Sequence, residues 1–88
     1  MAAKINRKLQ TEPAKGAAAV TPNDSTDLTY QTRGLYVGVS GDVVVTMVDQ
    51  ADGANVTFTG LAGGVVHPLE VKRVWNTNTT ATNIVALW

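Results

Sequence analysis

The side chains able to do chemistry in this 88-residue sequence are few and scattered. They are one imidazole, His67, two seryl hydroxyls, Ser25 and Ser40, and four carboxylates beyond Gly34, namely Asp42, Asp49, Asp52 and Glu70. Nucleophilic catalysis needs a base within hydrogen-bond reach of the nucleophile and a third group to orient that base. His67 stands beside Pro68 in a strand-like run, Ser25 lies in a polar N-terminal stretch and Ser40 in a turn, so no such constellation forms with any specificity. Cysteine is absent, which removes a thiol nucleophile and a disulfide scaffold, and a lone histidine does not supply the ligands of a tetrahedral zinc site. Asp49-Gln-Ala-Asp-Gly53 lacks the alternating oxygen ligands and distal Glu of a calcium loop and reads as an acidic turn. Gly60-Leu-Ala-Gly-Gly64 has glycines but neither the Lys-Ser/Thr pair nor the following helix of a phosphate loop. The glycosylation-type triplets at Asn23, Asn55 and Asn78 are chance matches where no secretory signal precedes them. The reading is therefore not an enzyme, with no cofactor and no metal.

The elements that would have to position any site are strands. In residues 34–49, Leu35, Val37 and Val39 share one parity and are followed by Ser40-Gly41, which predicts a tight β-hairpin. The second run is apolar on both faces, with Val43, Val45 and Met47 on one and Val44, Thr46 and Val48 on the other. An antiparallel strand with one wet face alternates more cleanly, so another copy of the protein is expected to cover the second face. Val56 and Phe58 alternate with Asn55, Thr57 and Thr59, the clearest half-buried strand of the chain. A strand over 65–71 contains Pro68, which confines it to an edge or a bulge. The apolar parity slips between Val71 and Val74, predicting a bulge near Lys72-Arg73. After Trp75 and a polar loop at 76–83, Ile84-Val-Ala-Leu-Trp88 forms a last strand whose indole needs cover, again expected from a neighbour. These signals predict an all-β fold, a small antiparallel β-sandwich or barrel of five to six strands in residues 28–88, preceded by an extended N-terminal arm at 1–27.

A body of about 60 residues buries little surface and commonly needs disulfides, metals or partners. With the first two lacking, homo-oligomerisation is the expected remedy. Formal charge is zero. Residues 1–33 carry Lys4, Arg7, Lys8, Lys15 and Arg33 against Glu12, Asp24 and Asp27, a net +2, while residues 34–88 carry Lys72 and Arg73 against four carboxylates, a net −2. No stretch approaches the ~20 apolar residues that span a bilayer, so no membrane partner is expected and the protein is read as soluble and made in the cytoplasm. The rival reading is a small cytoplasmic barrel binding single-stranded nucleic acid, which needs a basic groove and exposed aromatics. The acidic body disfavours it. A sugar-binding module using Trp75 or Tyr36 as a platform is a third reading.

The runs Arg33-Gly-Leu-Tyr-Val-Gly-Val-Ser-Gly-Asp-Val, Val56-Thr-Phe-Thr-Gly-Leu-Ala-Gly-Gly-Val, Pro68-Leu-Glu-Val-Lys-Arg-Val-Trp and Thr80-Ala-Thr-Asn-Ile-Val-Ala-Leu-Trp88 carry a resemblance. Over residues 28–88 the chain resembles the small head-spike base proteins of tailed phages and gene transfer agents. The resemblance implies an all-β structural virion protein on the capsid exterior, a symmetric homo-oligomer, trimer or pentamer, contacting the major capsid protein and serving as a cap or as a base for a spike fibre. Residues before 28 fall outside it. For such a role the arm's Lys4, Ile5, Arg7, Lys8 and Leu9 are the capsid-anchoring candidates, and Tyr36, Val44, Val48, Trp75, Val85, Leu87 and Trp88 are the subunit-interface candidates.

Overall fold

The computed structural model describes residues 13–88, and the anchoring candidates Lys4, Ile5, Arg7, Lys8 and Leu9 lie outside the described residues. Seven strands follow in order: β1 (Ala17–Ala19), β2 (Gly34–Val39), β3 (Gly41–Met47), β4 (Val56–Leu61), β5 (Val65–His67), β6 (Val71–Val74) and β7 (Thr82–Leu87). They form two antiparallel sheets, one ordered β1-β7-β2-β5 and the other β4-β3-β6. This is the small all-β antiparallel sandwich that the alternating patterns predict. Between the sheets lie Leu35 and Val37 of β2, Val43 and Val45 of β3, Val71 and Val74 of β6, Ile84 of β7 and Ala81. Each fully buried Val or Leu contributes about 1.5–3 kcal/mol of hydrophobic stabilisation.

The two strands at 34–49 do not pair as a hairpin. β2 is flanked by β7 and β5, and β3 by β4 and β6, so the chain changes sheet at Ser40. Both runs present alternate apolar residues to one core, and facing each other across it satisfies that pattern as well as lying side by side. No positive φ is required at Ser40 or Gly41; the left-handed glycines are Gly53, Gly60 and Gly64. Gly41 is needed for space instead, because a Cβ there would stand 2.6 Å from the Ala81 amide nitrogen.

The expected strand over 65–71 divides at Pro68 into β5 and β6, which belong to different sheets. Proline offers no ladder N–H, and the chain turns there, with the Leu69 amide donating to the His67 carbonyl. The bulge expected near Lys72 is present: Thr46 faces Arg73 while Met47 faces Val71, leaving Lys72 as the extra residue. Its effect is to keep Val71 and Val74 both in the core.

The second face of β3 is covered by its own chain, which corrects the expectation of a neighbour. Val44 is 5% and Thr46 1% exposed in the single chain. The Trp75 indole Nε1 donates to Thr46 Oγ1 at 2.9 Å, and the Trp75 amide donates to the Val44 carbonyl. Thr46 Oγ1 in turn donates to the Ala54 carbonyl.

Residues 13–33 lie along the body. β1 pairs with β7, and the Val20 amide donates to Ile84 O. The chain then crosses to the other sheet, where the amides of Asn23, Leu28 and Thr32 donate to the carbonyls of Val74, Lys72 and Val71. This strap closes the β6 edge of the sandwich. Leu28 and Val20 pack against the core from it.

Candidate functional site

The titratable residues do not converge. His67 Nε2 lies 2.9 Å from the Ala62 carbonyl, Asp42 accepts the Gly60 amide, and Ser40 Oγ accepts the Gly63 amide, so each ties down the backbone of the 60–63 segment. Among the described residues no three His, Cys, Asp or Glu side chains gather where a metal ion could sit. No helix of the described residues is long and apolar enough to cross a membrane.

Both cations of residues 34–88 are held by carboxylates. Lys72, mostly buried, places Nζ 2.9 Å from Asp52. Arg73 Nε donates to Asp27 at 2.6 Å, its Nη1 donates to the Asp24 carbonyl, and its guanidinium lies 5.2 Å over the Trp75 ring. A groove for a nucleic-acid backbone needs cations turned to solvent, and these two are turned inward. The Trp75 ring face that a sugar would stack on is likewise taken by Arg73.

Asp24 and Asp52 carry carboxyls held below the usual carboxylate range. For Asp24 the first cause is the hydrogen bond from the Thr77 hydroxyl, then the Thr77 and Asn76 amides and the Arg73 charge. For Asp52 the cause is the Lys72 ammonium, through its hydrogen bond and its charge. Asp24 thus fastens the strap to the 76–80 loop. No reactive group results.

What the fold does assemble is an apolar surface. On the outer side of the four-stranded sheet, register sets Tyr36 between Val85 and Val66, with Ala19 beyond Val85. The next row along the strands holds Ala17, Leu87 and Gly34. None of these residues is charged. Val66 is 50% exposed, and Tyr36, Val85 and Leu87 are half-buried. The outer side of this sheet therefore carries a half-exposed apolar patch.

Of the seven interface candidates, Tyr36, Val85 and Leu87 therefore share this face. Val48 and Trp75 lie half-buried elsewhere, and Val44 has almost no surface left to offer a neighbour. Trp88 is covered from within: its ring stacks on Tyr30 at 4.7 Å, and its backbone exchanges hydrogen bonds with Gly16. A Cβ at Gly16 would overlap that indole, so glycine lets the strap close on it. Val66 and Ala19 complete the face and escape sequence reading, because Val65 and Val66 are both apolar and give no parity, and β1 is three alanines with no period.

The described residues thus form a β-sandwich with an uncharged apolar outer face on its four-stranded sheet. The chain is similar to a solved structure described as "Capsid of native GTA particle computed with C5 symmetry", at 36% identity over 91% of this chain and 89% of that one, with a TM-score of 0.76. It belongs to the family of that gene transfer agent capsid chain and is a protein related to phage and gene-transfer-agent capsids. No protein-family model matches the sequence, and no curated protein matches it.

Proposed function

We propose that this chain is a structural virion protein, a homo-oligomeric capsid decoration or head-spike base protein on the exterior of a phage-type or gene-transfer-agent-type capsid. The observation that carries the reading is its 36% identity across nearly its whole length to a chain of a gene transfer agent capsid. The apolar face around Tyr36, Val85 and Leu87 supports it, since a small sandwich that meets only water gains nothing from such a face. In this reading that face contributes to the contact between copies, in a trimer or pentamer.

The start of the N-terminal arm, ahead of β1, supplies the anchor. Its Lys4, Arg7 and Lys8 are interspersed with Ile5 and Leu9, a mixture suited to a major capsid protein surface with carboxylates beside apolar patches. The surface away from the capsid is left for a spike fibre protein. The role is architectural and not enzymatic, and calls on no cofactor.

The test is co-sedimentation with cognate capsid particles. Full-length protein is expected to pellet with them as an oligomer, and a form lacking residues 2–12, which keeps β1, is expected to stay oligomeric but remain in the supernatant. Decoration by the truncated form overturns the anchoring role, and a monomeric full-length protein by light scattering overturns the homo-oligomer.

A further inference from the structure

Sheet edges carry unpaired N–H and C=O groups and pair with any strand that fits, so soluble proteins blunt them with charge, proline or cover. This sandwich has four lateral edges. The β6 edge is covered by the strap, whose amides at Asn23, Leu28 and Thr32 bond to it. The β5 edge is only three residues long and is ended by Pro68. The β4 edge has neither device, and β1, though also three residues long, is neither covered nor ended by a proline. β4, Val-Thr-Phe-Thr-Gly-Leu, is six residues with no charge and no proline, and Val56, Thr57, Thr59 and Gly60 are exposed. β1 is Ala-Ala-Ala, exposed throughout. Among the described residues no strand pairs with the far side of either.

The two open edges lie on opposite flanks. Only three residues separate β4 from β5, so those strands stand one above the other. The strap likewise passes from Val20, bonded to Ile84, to Asn23, bonded to Val74, so β1 stands above β6. β4 and β1 are thus the outer strands of different sheets at opposite sides of the body.

We infer that the open edge of β4 pairs with β1 of the next copy, head to tail, joining the three-stranded sheet of one subunit to the four-stranded sheet of its neighbour. The inference rests on the homo-oligomeric reading above. A cyclic ring of three or five members needs two different patches that meet heterologously, and uncovered strands on opposite flanks supply them. A strand added at β1 also covers the Ala19–Val85 end of the apolar row, so pairing and face form one continuous contact.

The test uses the full chain in three variants, Thr57→Lys, Ala19→Glu and both together, with light scattering and amide hydrogen exchange as readouts. Each single substitution is expected to weaken self-association about tenfold or more, and the double variant to recover it, because an edge bearing Lys then meets an edge bearing Glu. Amides of 17–19 and 56–61 are expected to slow together on assembly. Thermal melts of the dissociated variants close to that of the dissociated wild type keep the folding of the subunit separate from its association.

A double variant that stays dissociated overturns the β4-to-β1 pairing, as does an oligomer in which 56–61 exchanges as fast as in the monomer; the homo-oligomeric reading survives both. A wild-type chain that is monomeric at all concentrations overturns the two together.

Discussion

The rings of Tyr30 and Trp88 stack at a centroid distance of 4.7 Å and an interplanar angle of 21°, fixing the segment before β2 to the end of β7. Beside them the Trp88 carbonyl accepts the amides of Lys15 and Gly16. Aromatic pairs of this geometry contribute about 0.5–1.5 kcal/mol beyond their area burial. Trp88→Ala is therefore expected to loosen residues 13–32 before it unfolds the sandwich, and limited proteolysis should show cleavage in the strap while the 34–87 fragment persists. Simultaneous loss of both would make Trp88 ordinary core.

Thr46 and Trp75 supply a second test. The threonine hydroxyl accepts from the indole and donates to the Ala54 carbonyl, and its residue is 1% exposed. Thr46→Val keeps the shape and removes both bonds, leaving the partners unpaired. The expected cost is about 1–3 kcal/mol in urea unfolding. A Trp75→Phe variant should recover part of that loss when combined with Thr46→Val, because the orphaned indole N–H is then absent as well.

Acid should act on the strap through Asp24. Its folded carboxyl titrates below the ordinary value because the Thr77 hydroxyl and the Thr77 and Asn76 amides bond to the ionised form. A depressed folded pKa gives stability that is fully present above the unfolded value, about 3.9, and is lost as pH falls through the folded one. Asp52, held low by Lys72, acts in the same direction. The difference in melting temperature between wild type and Asp24→Asn is expected to be constant near neutrality and to shrink on acidification below pH ~4. A gap that widens in acid would contradict the assignment.

The apolar face is addressed by Val66→Lys. Val66 is 50% exposed and opposite Tyr36 on the outer side of the sheet. A charge there should change subunit stability by only about 0.5 kcal/mol while weakening self-association, read by light scattering. In contrast, Leu35→Ala, at a fully buried position, is expected to cost about 2–5 kcal/mol in urea unfolding.

Much of this protein is local and therefore legible along the chain. The alternation of Leu35 with Val37 and of Val43 with Val45 determined two core-facing strands, the Asp-Gly turn at 52–53 placed a left-handed glycine, and the parity slip after Val71 located the bulge at Lys72. Tertiary structure decided what local pattern leaves degenerate. A strand whose apolar side faces a core has the same sequence whether its partner lies beside it or across from it, so only the assembled sheets separated β2 from β3. The same holds for cover: Val44, Thr46 and Trp88 declare that they need it, but Trp75 and the strap, distant in sequence, reach them only once the chain has folded. Burial drives any apolar surface to cover without specifying whose surface it meets, which is why the sequence alone pointed to a neighbour where the chain supplies its own.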